Sequence, residues 1–215
     1  MTDYNPDVAA ARADLCRLLA ACYYQPGPEY AEEKVFESML GAAARISSDL
    51  EAMARLLGRE FSAAGQDRLL IDYTRLFLGP IQMLAQPYGS SWLEDEKTLM
   101  QASSMAVVEL YEEGGFEMDA EFHELPDHIA AELEFLYVLT FRELQAHQQG
   151  DAEALAATAG LKKRFLEQHL GRWVGPFTAA VVKGAETGFY RELARLTEAF
   201  VRLETAAGLV TAKVH

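Results

Sequence analysis

The stretch E124-L-P-D-H-I-A-A-E-L-E-F-L-Y-V-L-T-F141 decides how the rest of the chain is read. A proline suits the first turn of a helix, because the N–H it lacks would have had no partner there. Asp127 follows where a carboxylate meets the positive end of a helix dipole, and His128 lies in the same turn. Beyond them the residues become apolar at helical spacing, so Leu133, Leu136 and Phe141 are expected to anchor the helix in a core. Two readings stay open. Either this is a capped core helix whose acid and imidazole are incidental, or both are exposed, with Asp127 an acceptor for a cationic donor and His128 a second polar contact.

The surroundings of the stretch are acidic. No Lys or Arg occurs between Lys97 and Arg142, an interval holding Glu109, Glu112, Glu113, Glu117, Asp119, Glu121, Glu124, Asp127, Glu132 and Glu134. Most of the net charge of −14 therefore belongs to the middle of the chain. Such a charge repels nucleic acid. It fits a solvated acidic face, or a surface that attracts a cationic partner.

Outward from 124–141 the pattern is helical nearly throughout. Helices are expected over 7–24, from Pro28 to about Ala44, over SSDLEAMARLLGREF after a serine cap, and over DRLLIDYTRLFL up to Gly79-Pro80. Residues 79–92, GPIQMLAQPYGSSW, read as a loop carrying Met83, Tyr88 and Trp92, a frequent form of recognition element. Further helices are expected at about 95–113, 151–170, 172–184 and 187–207. No strand alternation, repeat or low-complexity tract appears. The fold class is all-α: one bundle-like domain over 1–215 with some eight or nine helices. Residues 114–124 are the best candidate for a boundary between an N-terminal lobe (about 1–113) and a C-terminal lobe (about 125–215). Cys16 and Cys22, the only cysteines, form no CxxC pair and read as core packing in a reducing compartment. The absence of a long apolar run or a secretory signal pattern points to a cytoplasmic protein without membrane insertion.

Enzyme signatures are missing. There is no Walker phosphate loop, no GxGxxG, no GxSxG elbow and no HExxH. His128 and Glu132 share a face at i, i+4, which is two ligands of a metal site and no third. Neither a catalytic residue, a metal nor a cofactor is expected. A helix-docking adaptor of another kind and a small carboxylate/His metalloprotein remain as alternatives.

Three blocks carry a family resemblance. ELPDHIAAELEFL supplies Pro126, Asp127, His128, Glu132, Leu133, Phe135 and Leu136. YTRLFLGP followed by PYGSSWL supplies Tyr73, Arg75, Leu76, Phe77, Gly79, Pro80, Pro87, Tyr88, Ser91 and Trp92. HLGRWVGPFTAAVVKGAETGFYRELARL supplies His169, Leu170, Trp173, Phe177, Ala185, Thr187, Phe189, Tyr190, Leu193 and Ala194. In this order the blocks resemble the TorD/DmsD/NarJ family of redox-enzyme maturation chaperones, on its TorD/DmsD branch, although here the proline directly precedes the aspartate. The resemblance implies an all-helical cytoplasmic chaperone, not an enzyme, either monomer or dimer. It would bind the twin-arginine signal peptide, and the catalytic subunit, of a molybdenum-cofactor oxidoreductase, assist cofactor insertion and delay export until folding is complete. The peptide contacts it implies are Tyr88, Ser91, Trp92, Pro126, Asp127 and His128. Physical reasoning adds Glu124 or Glu121 as guanidinium acceptors, and Met83 beside the aromatics. Tyr73, Leu76, Phe77, Trp173, Phe177, Phe189 and Tyr190 are expected to be core.

Overall fold

The computed structural model describes residues 4–79, 82–94, 102–118 and 124–211, with side chains as far as residue 207. Among these residues there are eleven α-helices and one π-helical turn: α1 (Pro6–Ala21), α2 (Glu29–Glu32), α3 (Val35–Ile46), α4 (Ser48–Ala64), α5 (Gln66–Tyr73), the π turn (Thr74–Leu78), α6 (Ser90–Leu93), α7 (Ala102–Glu113), α8 (Ile129–Gln149), α9 (Ala152–Gln168), α10 (Leu170–Gly184) and α11 (Gly188–Thr211). The count exceeds the expected eight or nine, and the local reasons are visible. The helix expected from Pro28 breaks in two at Lys34, which adopts a left-handed conformation (φ 52°) between α2 and α3. The stretch DRLLIDYTRLFL widens into a π turn after Tyr73. The expected loop 79–92 contains a short helix from Ser90. Pro80 and the first part of the helix expected at 95–113 lie outside the described residues.

Start and stop signals act as their chemistry dictates. Asn5 accepts from the N–H groups of Asp7 and Val8 at 2.9 and 3.3 Å, with Pro6 at the first helical position. Ser47 caps α4 through Leu50 N–H, and Asp151 caps α9 through Ala154 N–H. Gly79 ends the π turn at φ 47°, where a Cβ would stand 2.5 Å from the backbone of Gln82, so only glycine fits.

α1 lies along α8 and α3, α4 packs on α3 and α11, and α10 joins α11 and α9. One hydrophobic cluster runs from Ala11 to Val201 and draws on both sides of the 114–124 linker. Cys16 and Cys22 are fully buried in it, as are Leu76, Trp173, Phe177, Phe189 and Tyr190, while Tyr73 and Phe77 are nearly so. Leu133 and Leu136 anchor α8 as expected. Phe141 does not, being 39% exposed. It stacks on Tyr137 one turn earlier, on the flank of the helix, while the core-facing row passes through Thr140 and Leu144.

Two buried acids fix the tertiary arrangement. Asp72, in the last turn of α5, accepts hydrogen bonds from Glu186 N–H, Thr187 N–H and the Thr187 hydroxyl (2.7–3.2 Å). It thereby joins the second sequence block to the start of α11. Glu204 on α11 meets Arg12 Nε at 2.8 Å and Lys162 Nζ at 2.9 Å, and Lys162 also meets Glu143 at 2.8 Å. This network ties α1, α8, α9 and α11 together. Burial works against the Lys162 ammonium, but Glu204 and Glu143 outweigh it and hold its pKa above the ordinary lysine range.

Candidate functional site

The opening stretch and the loop before α6 are fastened to each other by backbone. Gly89 N–H donates to Asp127 O (2.9 Å), and Ile129 N–H donates to Pro87 O (2.8 Å). Tyr88 and His128 form an isolated antiparallel bridge. The two family blocks thus meet as one short two-stranded clasp, about forty positions apart in sequence.

The clasp explains where the expected site residues lie. Helix α8 begins at Ile129, and its cap is His128, whose Nδ1 accepts from Ala130 N–H at 3.2 Å. Pro126 and Asp127 therefore precede the helix instead of forming its first turn. Asp127 serves a different helix end: its Oδ2 accepts from Ser90 N–H at 2.7 Å, at the first residue of α6. It is fully buried and His128 is 3% exposed, so the expectation that both face solvent is not met in this structure. Asp127 Oδ1 has no hydrogen-bond partner among the described residues.

What faces solvent is a ring of tyrosines and carboxylates around His128. Tyr88 and Tyr24 flank the imidazole, with ring centroids 5.5 and 6.5 Å away. The Tyr88 hydroxyl donates to Glu124 at 2.6 Å, and the Tyr24 hydroxyl donates to Glu134 at 2.8 Å. Glu124 is exposed, and burial raises the pKa of half-buried Glu134 despite the Tyr24 bond. Burial, reinforced by Glu124, raises the pKa of buried Tyr73 to about 12. Tyr24 and Glu134 were not picked out as site residues in the sequence. Their signal there is only acidity or aromaticity, which the fold alone gathers.

His128 carries little positive charge in this setting. Burial lowers its pKa to about 4, with Glu124 and Asp127 pulling the other way. A neutral imidazole leaves the charge of the surrounding carboxylates uncancelled. The sign of the stability effect follows. Between the ordinary value of 6.5 and about 4 the unfolded chain binds the proton and the folded chain does not. Stability from this group is therefore lost as pH falls from 6.5 to 4, by up to about 3 kcal/mol. Chemical denaturation at pH 7 and pH 4.5 tests this against His128→Asn, in which Asn retains a capping oxygen but does not titrate. The wild type should lose about 2 kcal/mol more than the variant over that interval. Equal losses would contradict the assignment.

Beneath the clasp sits a second buried group. Glu132 is fully buried and accepts from Trp173 Nε1–H at 3.1 Å, with His169 Nδ1 at 3.4 Å. His169 Nε2 lies 2.8 Å from Ser103 O. Burial opposes the His169 imidazolium, but the bond to Glu132 and its charge prevail and raise the pKa. Gly89 rests directly on this group: a Cβ there would stand 2.9 Å from Trp173 Nε1 and 3.1 Å from Glu132 Oε1. Glu132, Trp173 and His169 thus form the seat on which the clasp is set. Glu132 is turned to Trp173 and His169, and His128 Nδ1 to Ala130, so the i, i+4 spacing does not assemble a ligand pair. No group of three His, Cys, Asp or Glu side chains among the described residues is placed to hold a metal ion.

The loop leading to the clasp supplies apolar surface. Trp92 is half-buried, its Nε1–H donates to Gln86 O at 2.9 Å, and its ring meets Phe177 edge-on. Met83 and Ser91 are half-buried, and Leu78 and Leu84 are exposed. Pro126 is half-buried, and its carbonyl accepts from the Tyr111 hydroxyl. Glu121 lies outside the described residues.

Residues 43–179 match the profile of the family described as nitrate reductase delta subunit. The chain is 29% identical over 181 residues to "Chaperone protein TorD" of Photobacterium profundum, covering 83% of this chain and 82% of that one. It is 26% identical over 186 residues to "Tat proofreading chaperone DmsD" of Salmonella typhimurium, covering 84% of each. A crystal structure of an Archaeoglobus fulgidus protein assigned to redox enzyme maturation superposes with a TM-score of 0.53 at 19% identity, over 88% of this chain and 93% of that one, which shows a shared fold. With a family profile matched over more than half its length, this chain belongs to the nitrate reductase delta subunit family, on its TorD/DmsD branch.

Proposed function

We propose that the protein is a maturation chaperone whose clasp receives the twin-arginine leader of a molybdenum-cofactor oxidoreductase, holding the precursor until its cofactor is inserted and it has folded. The observation that carries this reading is the pair of carboxylates, Glu124 and Glu134, each held by a tyrosine hydroxyl on either side of a neutral His128. A guanidinium needs planar acceptors and is favoured over an aromatic face, and both are present. The surrounding interval lacks a basic residue from Thr98 to Phe141, so nothing within it repels the peptide.

In this reading Tyr88, Ser91, Trp92, Glu124 and Pro126 form the surface that the leader touches, with Tyr24 and Glu134 added by the fold. Asp127 and His128 act from below by positioning the clasp. The buried Oδ1 of Asp127, which has no hydrogen-bond partner among the described residues, becomes a further acceptor once an arginine lifts the Tyr88–Glu124 contact. The apolar core of the leader lies along Trp92, Met83, Leu84 and Leu78. The relatives named as chaperones support the role, and the chain carries none of the enzyme motifs. No helix among the described residues is long and apolar enough to cross a membrane.

The test is fluorescence anisotropy of a labelled twin-arginine leader against its twin-glutamine analogue. The expected result is micromolar or tighter binding of the arginine peptide, at least about tenfold weaker binding of the analogue, and a fall in affinity as salt rises. Equal binding of both peptides would overturn the reading and favour a helix-docking adaptor.

A further inference from the structure

We propose that the groove between α2, α3 and α4 is a second docking surface, for an acidic segment of a partner protein that presents an aromatic or branched aliphatic anchor. The groove has a volume of about 620 Å³ and shares no lining residue with the clasp. Its floor is aromatic: the Phe36 and Phe61 rings are 4.3 Å apart, with Tyr30 at 6.0 and 6.2 Å from them. The Tyr30 hydroxyl is turned away, donating to the carbonyls of Ala21 and Tyr24; Tyr30 and Phe36 are themselves buried, so half-buried Phe61 offers most of the ring surface at the floor.

The rim has the opposite character to the rest of the molecule. Lys34, Arg55 and Arg59 line it against one acid, Glu37, in a chain of net charge −14. Arg55 is held by Glu51. Lys34 and Arg59 are exposed and form no ion pair among the described residues. Lys34 is also the one non-glycine residue with a left-handed backbone among those described. Gly58 forms part of the wall from within α4, where glycine costs a helix about 1 kcal/mol relative to alanine. Its missing side chain keeps the groove open.

These features select the occupant. A small-molecule site needs buried polar groups that fix the ligand's orientation, and this floor has none. An apolar anchor on a peptide needs shape and exclusion of water, which the three helices and the Phe61 ring provide. Lining residues from Ala54 to Ala63 extend along about 14 Å of α4, a length for several peptide residues. Two unpaired cations at the edge then favour Asp or Glu beside the anchor. The leader, being cationic, is excluded from this groove by the same charges.

The test pans a fully randomised library of twelve-residue displayed peptides on three proteins: wild type, Gly58→Met, and Lys34→Glu with Arg59→Glu. A Cβ at Gly58 meets only Phe36 Cβ, at an ordinary 3.5 Å, so a methionine there grows into the groove without disturbing the fold. Enriched peptides should carry Phe, Leu or Trp flanked by Asp or Glu. As synthetic peptides they should bind Gly58→Met and the charge-reversed variant at least tenfold more weakly, while all three proteins bind the twin-arginine leader alike. The proposal is overturned by enrichment of basic peptides, by equal binding to Gly58→Met, or by no enrichment on wild type. Competition by a small carboxylate amphiphile such as decanoate at micromolar concentration would also overturn it. Self-association of the wild type that Gly58→Met abolishes would make a second copy the occupant and overturn it equally.

Discussion

Glu124→Gln combined with Glu134→Gln should weaken binding of a twin-arginine leader by about two orders of magnitude while leaving stability unchanged. Each glutamine keeps an oxygen to accept from its tyrosine, so Tyr88 and Tyr24 retain their partners. What disappears is charge. A hydrogen bond to a charged group contributes about 1.5–3 kcal/mol net, and the exposure of Glu124 argues for the lower end. Two such contacts amount to about 3 kcal/mol, or roughly 150-fold in dissociation constant. Calorimetric titration and a denaturation curve on the same samples separate affinity from folding. A double variant that binds within threefold of wild type would remove the carboxylate pair from the site.

The largest loss of stability should come from Glu204→Ala. The substitution strips the Lys162 ammonium of one of its two carboxylates and Arg12 of the one it meets among the described residues. Breaking a buried pair by removing one partner costs about 3–5 kcal/mol, because the remaining charge stays out of water. For a chain of this size the melting temperature should fall by roughly 10 °C or more. Replacing Arg12, Lys162 and Glu204 together by methionine should cost far less, since no charge is then left buried. A loss below about 0.5 kcal/mol for Glu204→Ala would show that water reaches the network.

These two cases mark what the sequence could and could not disclose. The long helices, the serine cap before α4 and the stop at Gly79 follow from local chemistry, and they were readable. So was the core, because aromatic residues at helical spacing have few other uses. The partners of Glu204, Arg12 and Lys162, lie on two other helices, and no local pattern selects them. The break at Lys34 was hidden for a related reason, since a lysine carries no turn signal. Phe141 was misjudged because α8 is apolar on more than one face, so spacing alone did not separate the buried row from its flank.

The candidate site was legible in parts. The two central motif blocks do meet in the fold. The roles assigned within them shifted. Asp127 was read either as an incidental acid at the start of a capped core helix or as an exposed acceptor, but it ties α6 to the turn before α8. Glu132 offered itself as half of a metal pair, yet it seats Trp173 and His169 beneath Gly89. Tertiary packing decided both, by bringing a loop across the helix start and giving each acid a donor that sequence spacing does not reveal.

The central claim is that Glu124 and Glu134 meet the leader's arginines, and a double-mutant cycle measures that contact directly. One side of the cycle carries Glu124→Gln with Glu134→Gln, and the other replaces the two arginines of the leader by glutamine. The account predicts a coupling energy of about 2–3 kcal/mol, the carboxylates mattering only when the arginines are present. Additivity within about 0.5 kcal/mol would contradict it, and would place the arginines elsewhere on the protein.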